Sequence, residues 1–89
     1  MIILMWDEIA GETNTEQYDE PTTVSIAPDS PDTAIEEFLR KSHGDATCCD
    51  TSADDMSWSL TKIARTPKTA TVEWKSTRGH LAVDTIIWD

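Results

Sequence analysis

Five side chains with versatile chemistry crowd into eight residues: His43, Asp45, Cys48, Cys49 and Asp50. Imidazole, thiolate and carboxylate together are the ligand set of a zinc site. Such sites separate paired cysteines by two to four residues so that both sulfurs reach one tetrahedral ion, and they draw on a second pair. Here the cysteines are adjacent and no other cysteine exists, so His43 reads as a cation closing a helix and the thiols as ordinary. Neighbouring cysteines cannot staple a loop without strain, which leaves them reduced and points to the cytoplasm. A Cys–His nucleophile drawn from Cys48 or Cys49 with His43 or His80 lacks the electropositive setting that lowers a thiol pKa, because Asp45, Asp50, Asp54 and Asp55 surround it. Asp50, Asp54 and Asp55 offer Ca²⁺ weak ligands without an EF-hand pattern. With three glycines, the chain has no phosphate-binding loop, and it contains neither G-x-S-x-G nor H-E-x-x-H. Carboxylates are plentiful but form no catalytic motif. The expectation is a protein with no catalytic residues, no cofactor and no metal.

The carboxylates themselves are the strongest signal. The formal net charge is −10 over 89 residues, and residues 1–39 carry ten acidic side chains with no Lys or Arg before Arg40. Residues 40–59 contribute −2 and residues 60–89 contribute +2. Such a field repels nucleic acid and anionic membrane and steers basic surfaces toward it. Glu8, Glu12, Glu16 and Glu20 recur every four residues. On a helix they would stand about 6 Å apart, close to every second phosphate of a DNA strand, each rising about 3.4 Å, which is the spacing of a nucleic-acid mimic. Against a helix stand the like charges at i, i+4 and the weak helix formers Gly11, Thr13, Asn14 and Thr15; a solvated acidic loop is the alternative.

The chain is long enough for one domain, 1–89, with one core. Ile2 to Trp6 is an apolar run suited to a strand buried on both faces or to the start of a helix, with β-branched Ile2 and Ile3 favouring the strand. Residues 7–21 read as an acidic loop, and residues 22–27, with Val24 and Ile26 alternating against Thr23 and Ser25, as a half-buried strand. Ser30 as N-cap, Pro31 at the first helical position and the acids Asp32, Glu36 and Glu37 open a helix over 31–43. Ala34, Ile35, Phe38 and Leu39 form its apolar stripe, Arg40, Lys41 and His43 its last turn, and Gly44 a left-handed stop. Residues 45–56 read as an exposed loop. Strands over 58–65, 70–75 and 80–88 follow, joined by short turns as an antiparallel meander. No apolar run is long enough to span a membrane, and the acidic start does not suit a secretory signal. The fold class is α+β, β-β-α-β-β-β, with one helix packed on a mostly antiparallel sheet of four to five strands.

These features together describe a small acidic protein that binds a basic protein. Its expected contacts are Asp7, Glu8, Glu12, Glu16, Asp19, Glu20, Asp32, Glu36, Asp54 and Asp55, with Trp88, placed opposite the Leu81/Val83 face, as an exposed aromatic anchor. In size, acidity and scaffold the chain is similar to phage-borne anti-CRISPR and anti-restriction inhibitors and to uracil-DNA glycosylase inhibitors. This is a likeness of type carried by no family motif. It implies inhibition of a nucleic-acid-binding enzyme or effector complex, in the host cytoplasm, by a monomer or homodimer that touches neither nucleic acid nor membrane directly. Two alternatives stand: an immunity protein or antitoxin covering a basic toxin, and a halophile-type domain whose charge is a solvent adaptation. Concentration of the acids before Arg40 disfavours the second, since a solvent adaptation spreads charge over the whole surface.

Overall fold

The computed structural model describes residues 1–18, 26–46 and 57–88. Among these residues, five strands form one sheet: β1 (Ile2–Asp7), β2 (Thr13–Gln17), β3 (Trp58–Arg65), β4 (Thr69–Ser76) and β5 (Leu81–Ile87). The helix described, α1 (Asp32–Ala46), lies between β2 and β3 in sequence. The α+β fold class and the β-β-α-β-β-β order are those the sequence predicts. The spatial order is β2-β1-β5-β4-β3, and every neighbouring pair is antiparallel.

Most of the strand expected over residues 22–27 cannot be matched to a described element. Ile26 and Ala27 are in no strand, and residues 22–25 lie outside the described residues. The second strand described is Thr13–Gln17, inside the stretch read as a loop. Positive φ at Gly11 (70°) turns the chain, and the Asp7 carboxylate accepts from the Ala10 N–H at 2.5 Å, so β2 folds back on β1 with Thr13 opposite Trp6. Thr13 and Thr15 are β-branched, and pairing to an apolar strand favours that geometry over a helix of like-charged glutamates. The helical row of Glu8, Glu12 and Glu16 therefore does not form.

One sheet face is buried. Ile3 and Met5 of β1, Ala82, Asp84 and Ile86 of β5, and Ala70, Val72 and Trp74 of β4 point to the same side and pack under Ile35 and Leu39 of α1. Leu60 and Ile63 of β3 complete this core beside Phe38 and Trp58. Trp88 belongs to it too: it is 3% exposed, and its backbone N–H donates to the Lys68 carbonyl at 2.9 Å. The expectation of an exposed Trp88 anchor is thus overturned. β5 is apolar on both faces, and pairing of Ile86 with Ile3 and of Ala82 with Trp74 turns its even-numbered residues toward the helix. Leu81, Val83 and Ile87 consequently face away from it.

The helix begins one residue later than the capping signals suggest and continues past Gly44 to Ala46. Its start is fixed from β3: the Arg65 guanidinium donates to the carbonyls of Ser30 (2.9 Å) and Pro28 (2.7 Å) and to the Asp32 carboxylate (2.9 Å). Ser30 Oγ accepts from the Ala27 N–H at 2.8 Å, bracing the approach to the helix.

Candidate partner-binding surface

The β1–β2 hairpin is built by an alternating ladder. Met1 and Tyr18 exchange both backbone hydrogen bonds, the Tyr18 N–H donating to the Met1 carbonyl at 2.9 Å and the Met1 amine to the Tyr18 carbonyl at 3.1 Å. Antiparallel pairs alternate between hydrogen-bonded and non-hydrogen-bonded. The register Ile2↔Gln17, Ile3↔Glu16, Leu4↔Thr15, Met5↔Asn14, Trp6↔Thr13 then assigns the inward bonds to Glu16 and Asn14. The backbone N–H and C=O of Thr13, Thr15 and Gln17 point outward from the sheet, and β2 is its terminal strand among the described residues. All three residues are exposed.

The same parity places Ile2, Leu4 and Trp6 on the sheet face opposite α1, level with Ile87, Thr85 and Val83 of β5. The apolar residues of this row are half-buried, and no described element packs on them. The stripe continues past the sheet end, where the Glu8 N–H donates to the Leu81 carbonyl at 2.8 Å. Ile9 and Leu81, 49% and 47% exposed, are the large apolar side chains most open to solvent there.

Charge is segregated along the chain, with Glu8 level with Leu81 on the stripe face and Asp7 and Glu16 on the α1 face with Ile3 and Met5. Residues 1–18 hold Asp7, Glu8, Glu12 and Glu16 and no Lys or Arg. The basic residues of the last third lie on β3, β4 and their turns. Glu12 is exposed, with no ion pair to any described residue. Glu8 approaches His80 Nδ1 at 3.4 Å and is half exposed, while Glu16 accepts from the Tyr18 hydroxyl at 2.6 Å. Asp7 is partly spent on the hairpin turn through its bond from the Ala10 N–H. Among the expected contact residues, the structure brings these four together on one hairpin. Asp32 and Glu36 are elsewhere and locally neutralised, Asp32 by Arg65 and Glu36 by Arg40 at 2.9 Å each. Two of the three acids that open the helix are thus opposed by cations, while Glu37 is exposed. Asp19, Glu20, Asp54 and Asp55 lie outside the described residues, as do Cys48, Cys49 and Asp50.

Inside the core, a polar knot ties α1 to the sheet. Asp84 is fully buried; its Oδ2 accepts from Trp74 Nε1–H at 2.7 Å and from His43 Nε2–H at 2.6 Å. The His43 pKa is raised, chiefly by the Asp84 hydrogen bond, against the opposing effect of burial, with the charges of Asp84, Asp7 and Glu16 adding to the rise. Arg40 stacks 4.9 Å over the Trp74 ring and donates to the Trp58 carbonyl at 3.1 Å, a second clamp beside the first. His43 is thus a core anchor, a role its position in the last helical turn does not reveal. The signal for it is the lone acid Asp84, which shares parity with Ala82 and Ile86 and so must turn inward with them. Among the described residues, no group of three or more His, Cys, Asp or Glu side chains is arranged to hold a metal ion. No helix among them is long and apolar enough to cross a membrane.

No protein family, curated protein or solved structure matches this chain.

Proposed function

We propose that the chain is a small inhibitor that occupies the basic surface of a nucleic-acid-handling protein. One observation carries the reading: a hairpin whose charged side chains are all acidic borders an apolar sheet stripe that no described element covers. Each half of that arrangement has a use. Glu8 and Glu12 beside the stripe, with Glu16 adding its field from the α1 face, raise the encounter rate with a cationic partner, and Trp6, Leu4, Val83 and Leu81 supply the apolar area that slows its departure. Because the glutamates sit on a β-hairpin, the attraction is that of an acidic surface and does not depend on imitating phosphate spacing.

The test is capture of proteins from host lysate on the immobilised chain, with elution by rising salt. A nucleic-acid-binding protein retained at low salt, released as ionic strength rises and displaced by DNA is the expected result. Replacing Glu8, Glu12 and Glu16 by Gln should abolish that capture while leaving the fold intact. Retention indifferent to both salt and neutralisation would sink the proposal. An immunity-type role would be recognised in the same experiment by retention of a basic toxin.

A further inference from the structure

Among the described residues the sheet has two edges, β2 and β3, and the sequence treats them differently. An unpaired edge strand exposes a row of N–H and C=O groups onto which another chain can pair, and proteins block such rows with bulges, cations or proline. β3 carries these devices: its register shifts between Leu60 and Lys62, Thr61 Oγ1 ties the irregularity to the Glu73 carbonyl at 3.1 Å, and Lys62 and Arg65 lie along it. β2 carries none of them. Its five residues pair with β1 without a register break and contain no proline, Lys or Arg. Thr13, Thr15 and Gln17 are exposed, and their outward donors and acceptors bond to no described residue.

We infer that the β2 edge is a strand-addition site, and that its occupant is an extended, lysine- or arginine-bearing segment of a partner protein. Main-chain hydrogen bonds to Thr13, Thr15 and Gln17 supply the pairing, and side chains at alternate positions supply the selection. Glu12 and Glu16 set the sign of that selection: cationic side chains on an added strand meet carboxylates, whereas acidic ones meet like charge. Charge equally disfavours a second copy of this chain as the occupant. Antiparallel self-pairing centred on Thr15 would bring two hairpins with only acidic side-chain charge together, each on a chain of charge −10. The inference rests on the proposed function for the charge of the partner, and it adds the place and backbone geometry of the contact.

The probe is a short capped peptide of alternating Lys and Val, with an Asp-for-Lys version as control, added to the full chain under native-state amide exchange. The Lys peptide should slow exchange at Thr13, Thr15 and Gln17 and leave Asn14 and Glu16, already bonded to β1, unchanged. The Asp peptide should do neither. Thr15→Pro removes one outward donor while sparing the bonds that Asn14 and Glu16 make to β1, so it should weaken the Lys peptide about tenfold with an unchanged circular dichroism spectrum. Should the variant not fold, the alternating exchange pattern in the unmodified protein decides the matter alone. The inference fails if no peptide binds, if protection does not alternate, if both peptides bind equally, or if folded Thr15→Pro binds as well as the parent. It fails equally if sedimentation finds a dimer that Thr15→Pro dissolves, because the edge then serves self-association. Salt-sensitive lysate capture that survives Thr15→Pro leaves the proposed function standing while the edge inference falls. Alternating protection without any such capture overturns the proposed function and leaves the edge inference standing.

Discussion

Replacing Asp84 tests the physical account of the core most directly, because one buried carboxylate oxygen serves both Trp74 and His43. In Asp84→Ala the indole N–H loses its acceptor in a buried site, a cost of about 1–3 kcal/mol. The His43 ring is 36% exposed, so solvent screening holds its lost ion pair to about 1 kcal/mol. Relief from burying a carboxylate, whose Oδ1 has no partner among the described residues, offsets part of this. The net loss is about 2–3 kcal/mol, a fall of roughly 8–24 °C in melting temperature for a domain of this size. Asp84→Asn separates charge from shape, since an amide oxygen can still accept from Trp74. A raised His43 pKa means that the folded chain holds the proton more tightly than the unfolded chain. Its stabilisation is complete below the unfolded value of 6.5 and is lost as pH rises through the higher folded value. Urea unfolding followed by tryptophan fluorescence, repeated across that window, should show declining stability in the parent and a flatter profile in Asp84→Asn. A neutral Asp84→Ala, or an identical slope in Asp84→Asn, would refute the reasoning.

Other contacts make their own demands. Arg65→Ala should cost about 2 kcal/mol and speed amide exchange in the first turn of α1 before the rest of the helix, since two carbonyls and Asp32 lose one shared donor; uniform acceleration would count against that role. Gly79→Ala should cost about 1 kcal/mol in chemical denaturation through backbone strain alone, because φ is +85° and a Cβ there meets nothing within 4 Å. Salt at a few tenths molar should raise the melting temperature modestly by screening Asp7, Glu8, Glu12 and Glu16 and then level off; a chain folded only in molar salt would instead favour the solvent-adaptation alternative.

The sequence carries the architecture better than the surface. Capping residues around Ser30 and Pro31, and the period-two patterns on either side of Thr66–Thr69 and Ser76–Gly79, are local signals, and α1, β3, β4 and β5 follow them. β2 has no local signal, because five polar residues become a strand only when an apolar partner is brought alongside by the Gly11 turn. Trp88 is misplaced by sequence for a related reason: a strand apolar on both faces does not say which face meets the helix, and long-range pairing to β1 decides it. The ion pairs that occupy Asp32 and Glu36 join residues from different elements or successive helical turns, so the acidity of the helix reads stronger in sequence than it is in space.

The strand order also governs when the domain can come into being. β1 and β2 form one local hairpin, β3, β4 and β5 form a local meander, and the seam between these units is β1 against β5, Ile2 opposite Ile87. During synthesis the first hairpin must wait for the last strand, with the β5-facing edge of β1 unpaired meanwhile. Closing so long a loop is slow relative to forming either unit. Folding should therefore be limited by the docking of two preformed pieces, and removing β5 should release a hairpin and a two-stranded remnant that have no sheet in common.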